Sequence, residues 1–207
     1  LRGVLCDDLL SNLIAGYTKY IPEDDLPSLP LYKLFMGNVR KLGKDWYAFW
    51  AVYYFYKKEN TKCLENIQNL LDTFAHQFQE ENSANTPFLD ETLFVSYLLE
   101  PFKNGFDGFW QKISELLEAY PIGDDIRDYC KLIGQFYTLN SEDEVIDVLL
   151  QFHQKYPAYR SVLELLGFQY YEKKMWRNAI CYFEKATEDG NSLLYPLMSI
   201  YFSLAWC

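Results

Sequence analysis

Apolar positions along this chain recur at intervals of three and four, the period of a helix with one buried face. No stretch alternates apolar and polar residues as a half-buried strand would, so the pattern predicts an all-α chain of about eleven helices. A first helix over 3–20 places Val4, Leu5, Leu9, Leu13, Ile14 and Tyr17 on one stripe. Pro22, Pro27 and Pro30 with Glu23, Asp24 and Asp25 make 21–30 a loop, and a second helix carries Leu31, Leu34, Phe35 and Val39 to a stop near Gly43. Further along, Thr86-Pro87 opens a helix that Pro101 and Gly105 are expected to break, and Phe109, Trp110, Ile113 and Leu116 run to Pro121. Ser141 and Glu144 read as a capping box, with Pro157 as the stop of the helix they begin. After Gly190, Leu197, Ile200 and Leu204 begin another helix.

The sharpest pattern lies at 163–186. Leu163, Leu166, Gly167, Tyr170, Ala179, Phe183 and Ala186 describe helix, turn, helix, with Gly167 and Ala179 lacking bulk where two antiparallel helices approach most closely. Aligning Lys57-Lys58 with Lys173-Lys174 puts Tyr47, Trp50, Ala51, Tyr54, Cys63, Ile67 and Leu70 on the same positions, with Ala51 for Gly167 and Cys63 for Ala179 keeping the crossing small. Ile133, Gly134 and Tyr137 sit 33 residues upstream of Leu166, Gly167 and Tyr170, followed by Val145, Leu149, Phe152 and Pro157. Val145 is bulkier than the alanine of the sharpest pattern and is expected to push its helices apart.

This series resembles the tetratricopeptide repeat, whose large, large, Gly, Tyr, Ala, aromatic, Ala signature residues 160–190 match best. The resemblance implies a right-handed superhelical array of antiparallel helix pairs, an α-solenoid. Its units would cover approximately 44–80, 86–122, 124–157 and 159–190, with a partial unit at 192–207 and with 1–43 packed on the array as part of one continuous domain. The lysine pairs are 116 residues apart, not a multiple of the family's 34, so the middle unit or its loops must be irregular. The start at Leu1 and the apolar end at Trp206-Cys207 suggest a piece of a longer chain.

Composition adds limits. Half of the residues are apolar and 18% are aromatic, which suits a folded chain of 207 residues better than a disordered one. A net charge of -10 opposes direct binding to a nucleic-acid backbone and favours a basic protein surface or peptide. Five cysteines, at 6, 63, 130, 181 and 207, form no C-x-x-C pair and read as reduced thiols of an intracellular protein, in cytoplasm or nucleus. The apolar run around Ala48 to Tyr56, which extends back to Trp46, is about half of what a bilayer crossing needs, so no membrane span is expected.

Catalytic chemistry finds little support. His76 and His153 lie within expected second helices, away from Cys or carboxylates at metal-ligand spacing, so neither a catalytic residue nor a metal or other cofactor is assigned. Gly37 to Asp45 superficially suggests a phosphate-binding loop, but its glycines are too far apart, Asp45 replaces the magnesium-binding hydroxyl, and a helix precedes it. Gly43 reads as a helix stop and Asp45 as the next N-cap. Asp124, Asp125 and Asp128, and Glu142, Asp143, Glu144 and Asp147, read as acidic first turns answering helix dipoles.

The resemblance implies a non-enzymatic interaction scaffold, a subunit of a multiprotein intracellular complex that holds a partner segment in its concave groove. Groove positions carried over from the family are Asp128, Lys131 and Gln135 with Ser161, Glu164, Phe168 and Tyr171. Gln135 and Glu164 depart from the family's carboxylate clamp, which makes Hsp70 and Hsp90 tails poor partners. A basic, apolar peptide or helix fits better, with Phe168 and Tyr171 as anchors and Glu164 and Asp128 answering its cations. Two alternatives come from other classes: an all-helical, glycosidase-like hydrolase using paired carboxylates beside aromatic walls, and a self-assembling structural module.

Overall fold

A computed structural model describes residues 47–80, 89–103, 105–139, 141–188, 193–194 and 197–206. Among them every regular element is helical, with nine helices and no strand. The two helices expected within 1–43, the loop 21–30, Asp45 and the Thr86-Pro87 start lie outside the described residues. The chain divides into two compact units, Leu1–Phe88 and Leu89–Cys207. That division falls near the start of the expected repeat 86–122, within what the sequence suggests is one continuous array.

In the first unit, α1 (47–56) is followed by α2 (Asn60–Glu80). Ala51 on α1 and Cys63 on α2 are fully buried, as are Ile67, Leu70 and Leu71. The turn between the helices places Lys58 in the left-handed region at φ 61°. There the N–H of Glu59 donates back to the Tyr54 carbonyl at 2.9 Å and that of Lys58 to Phe55 at 3.0 Å.

The second unit starts with α3 (91–102), whose first turn is capped by Asp90 accepting from the Leu93 N–H at 2.8 Å. Pro101 does not break this helix as expected. A wide turn, Val95–Leu99, comes just before it, with the Glu100 N–H reaching the Val95 carbonyl, and α3 continues to Phe102. The wider turn relieves the clash that a proline ring makes with the carbonyl four residues back. Next come α4 (Phe109–Leu117), α5 (Asp124–Phe136), α6 (Glu142–Lys155), α7 (Arg160–Glu172), α8 (Trp176–Ala186) and α9 (Leu197–Trp206). From α4 onward each helix packs on the next in sequence. Ser141 does stand at the start of α6, but its hydroxyl makes no capping bond, and the acidic turn of Glu142, Asp143 and Glu144 answers the dipole instead.

The tightest crossing joins α7 to α8. A Cβ on Gly167 would stand 2.4 Å from Phe183 Cδ1, so the ring occupies the space that any side chain there would need. Ala179, Phe183 and Ala186 are fully buried on the facing helix. The α7–α8 turn repeats the α1–α2 turn: Lys174 has φ 59°, Met175 N–H donates to Tyr170 at 2.9 Å, and Lys174 N–H donates to Tyr171 at 2.9 Å. A side chain in the left-handed region costs about 1–2 kcal/mol, part of which glycine returns as backbone entropy. Lys174→Gly should therefore raise the unfolding free energy by about 0.5–1 kcal/mol in urea titration. A drop in stability would mean that the lysine side chain holds the turn.

Gly134 serves a different neighbour. A Cβ there would meet Trp110 Cβ of α4, at 3.3 Å, and no atom of α6 within 4 Å. Val145 is buried on α6. Tyr129, fully buried on α5, is the hub of the aromatic core, with Phe94, Phe152 and Tyr159 rings centred 5.1, 5.7 and 5.1 Å away.

Candidate functional site

The seven expected groove residues lie on α5 and α7 and divide by environment. On α5, Lys131 and Gln135 are exposed. Asp128, one turn earlier, is already satisfied: its Oδ2 accepts from Lys155 Nζ at 2.6 Å and from the Tyr156 hydroxyl at 2.9 Å. Those donors, Lys155 first, hold its carboxyl below the usual carboxylate range.

On α7 the expectation that Glu164 points outward is corrected. Both Ser161 and Glu164 are fully buried, among Val162, Leu163, Leu165 and Leu166, which wrap the first half of α7 in apolar packing. A buried carboxylate needs donors, and Glu164 receives two, from the N–H groups of Leu193 at 2.7 Å and Leu194 at 2.9 Å. Phe168 and Tyr171 are half-buried. The Phe168 ring meets Phe183 edge-on at 4.8 Å, and that of Tyr171 meets Trp176 at 5.3 Å.

Ser161 belongs to a polar chain that the sequence did not reveal. The residue opening α7, Tyr159, gives its first turn no side-chain cap. Glu91 of α3 supplies one: Oε2 accepts from the Arg160 N–H at 3.1 Å, and Oε1 from the Ser161 N–H at 2.7 Å and also from the Ser161 hydroxyl. Tyr129 in turn donates its hydroxyl to Ser161 Oγ at 2.6 Å. Beside it, the Tyr159 hydroxyl donates to Asp125 Oδ2 at 2.9 Å. Burial raises the Glu91 carboxyl and, to a lesser degree, the charge of Glu164 does too, against the pull of the Ser161 and Arg160 donors. One signal in the sequence pointed this way. A lone Glu inside a segment that is apolar on all sides must be buried and must find partners.

The titratable groups elsewhere have structural settings. His153 packs edge-on to Tyr182 at 5.9 Å, and burial, then Lys185, lowers its pKa. Burial pushes the Cys63 and Cys130 thiols up to about 12, while Cys181 is an exposed free thiol. Cys6 and Cys207 lie outside the described residues. Among the described residues no three His, Cys, Asp or Glu side chains are grouped to hold a metal ion, and no helix is long and apolar enough to cross a membrane. Glu91 and Glu164 are both buried acids, as the hydrolase alternative would need, but their oxygens receive backbone N–H groups, from Arg160 and Ser161 at the start of α7 and from Leu193 and Leu194. Compared with known proteins, the chain matches no family model, no curated protein and no solved structure.

Proposed function

We propose that this chain is a non-enzymatic protein–protein interaction scaffold, a tetratricopeptide-like subunit of a multiprotein intracellular complex. The observation that carries the reading is a repeated turn. Lys58 and Lys174 adopt the same left-handed conformation, with the same pair of backbone hydrogen bonds around them. Each turn joins two helices whose small residues, Ala51 with Cys63 and Gly167 with Ala179, are buried in the register the repeat requires. Helix pairs of this kind stack into arrays whose first helices line a concave groove.

In this reading the groove keeps only some of the residues that the resemblance assigns to it. Ser161 and Glu164 are spent on the chain's own backbone and Asp128 on Lys155, which leaves Lys131, Gln135, Phe168 and Tyr171 to meet a partner. Phe168 and Tyr171 offer half-exposed rings to apolar side chains, and the net charge of -10 draws a basic segment toward them. Affinity capture with wild type should return one stoichiometric protein. Tyr171→Ala or Gln135→Lys, which sets a like charge against a basic segment, should weaken its binding about tenfold, the loss of roughly 1.4 kcal/mol expected at an interface anchor. Undiminished retention by both variants would move the binding surface elsewhere.

A further inference from the structure

α9 follows the register of α7. Leu197, Ile200, Tyr201 and Leu204 stand 34 residues after Leu163, Leu166, Gly167 and Tyr170. One side of α9 agrees with that register: Ile200, like Leu166, is fully buried, and α9 packs on α8. The other side differs. On α7 the space beside Gly167 is filled by the Phe183 ring, whereas Tyr201, in the same register position of α9, is 49% exposed. Ala205, one turn further on, is exposed, and Leu204 between them is half-buried. Among the described residues, α9 therefore presents an uncovered apolar face on which a large side chain and a small one stand four residues apart.

We propose that this face pairs two copies of the chain, α9 against α9 in antiparallel sense, with Tyr201 of each copy seated on Ala205 of the other. Shape and charge both select a second copy as the occupant. The face complements itself: a two-fold axis between positions 201 and 205 brings each ring over the opposite methyl group, so that both contacts form together. The ring at 201 also keeps any helix from approaching as closely as α8 approaches α7, where a glycine makes room. Charge restricts where copies can meet, because each carries a net charge of -10 and repels the other. From Gly190 to Cys207 there is no Asp, Glu, Lys or Arg, so a contact through α9 sets no like charges against each other. Pairing takes the Tyr201 rings out of water and leaves their hydroxyls at the rim. A one-helix interface is small, and the dissociation constant is expected on the order of 10 μM. This contact goes beyond the partner groove, whose residues lie on α5 and α7, and neither depends on the other.

Sedimentation equilibrium of the full chain reads the pairing directly. The mass should rise from 24.5 kDa toward twice that value across the expected concentration range, and salt should favour the dimer by screening the repulsion between copies. Tyr201→Ala leaves a gap over each Ala205, and Ala205→Tyr sets ring against ring; each should weaken the dimer about tenfold or more. The double variant exchanges the large and small positions and should restore wild-type pairing. Both positions are exposed, so helical circular dichroism should be the same in all three variants and wild type. A mass that stays that of one chain at about ten times the expected dissociation constant overturns the pairing. A dimer that the single substitutions leave intact, or that the exchange does not restore, overturns it equally. A monomer that loses a different co-purified protein on Tyr201→Ala would assign the face to that protein and against a second copy.

Discussion

Phe183→Ala is expected to lower the unfolding free energy by about 3–5 kcal/mol, the range for emptying a buried aromatic site. The ring is fully buried and fills the space over Gly167, with Phe168 edge-on at 4.8 Å. Refilling that space from α7 is difficult because the nearest position carries no side chain, and the spread of measured costs reflects how well a site can collapse. Urea unfolding followed by circular dichroism should show an earlier midpoint with an unchanged slope. A loss below about 1 kcal/mol would mean that the two helices close over the void.

Gly167→Val makes the opposite error at the same contact, with an expected cost of about 2–3 kcal/mol. The new Cβ would start 2.4 to 2.5 Å from two Phe183 ring carbons, a separation that one side chain or one helix must yield. Valine is a better helix former than glycine by a few tenths of a kcal/mol, which offsets only a small part. Because one substitution adds volume where the other removes it, the double variant should be more stable than the sum of the two predicts, by about 1–3 kcal/mol. Additive effects would show that Gly167 and Phe183 do not share one packing site.

That crossing was legible in the sequence because it depends on local spacing. A small residue at 167, another at 179 and an aromatic at 183 specify a helix pair, and the same spacing located the matching pair around Ala51 and Cys63. Where sequence reasoning failed, the deciding partner was distant or the adjustment was made by the backbone. Pro101 looked like a helix breaker, and a wide turn at Val95–Leu99 absorbs it. Ser141 looked like a capping side chain, and its acidic neighbours take that role.

Glu164 and Ser161 show the limit most clearly. The family resemblance assigned them to the groove face of α7, but which chain segment covers that face depends on contacts made by Glu91 and by Leu193 and Leu194. No local pattern pairs residue 91 with residue 161. The apolar residues around Glu164 did contain the warning, since a carboxylate embedded in such a run needs internal donors. The consequence for the proposed groove is concrete: Ser161 and Glu164 are turned inward, and the proposal rests on Lys131, Gln135, Phe168 and Tyr171.

Site-specific photo-crosslinking in the native cell tests this assignment most directly, with the probe placed at Gln135 on α5 or at Glu184 on α8, both exposed. If the first helices line a partner groove and the second helices form the outer surface, the probe at 135 yields one defined protein adduct and the probe at 184 yields none. An adduct from 184 with none from 135 would contradict the account.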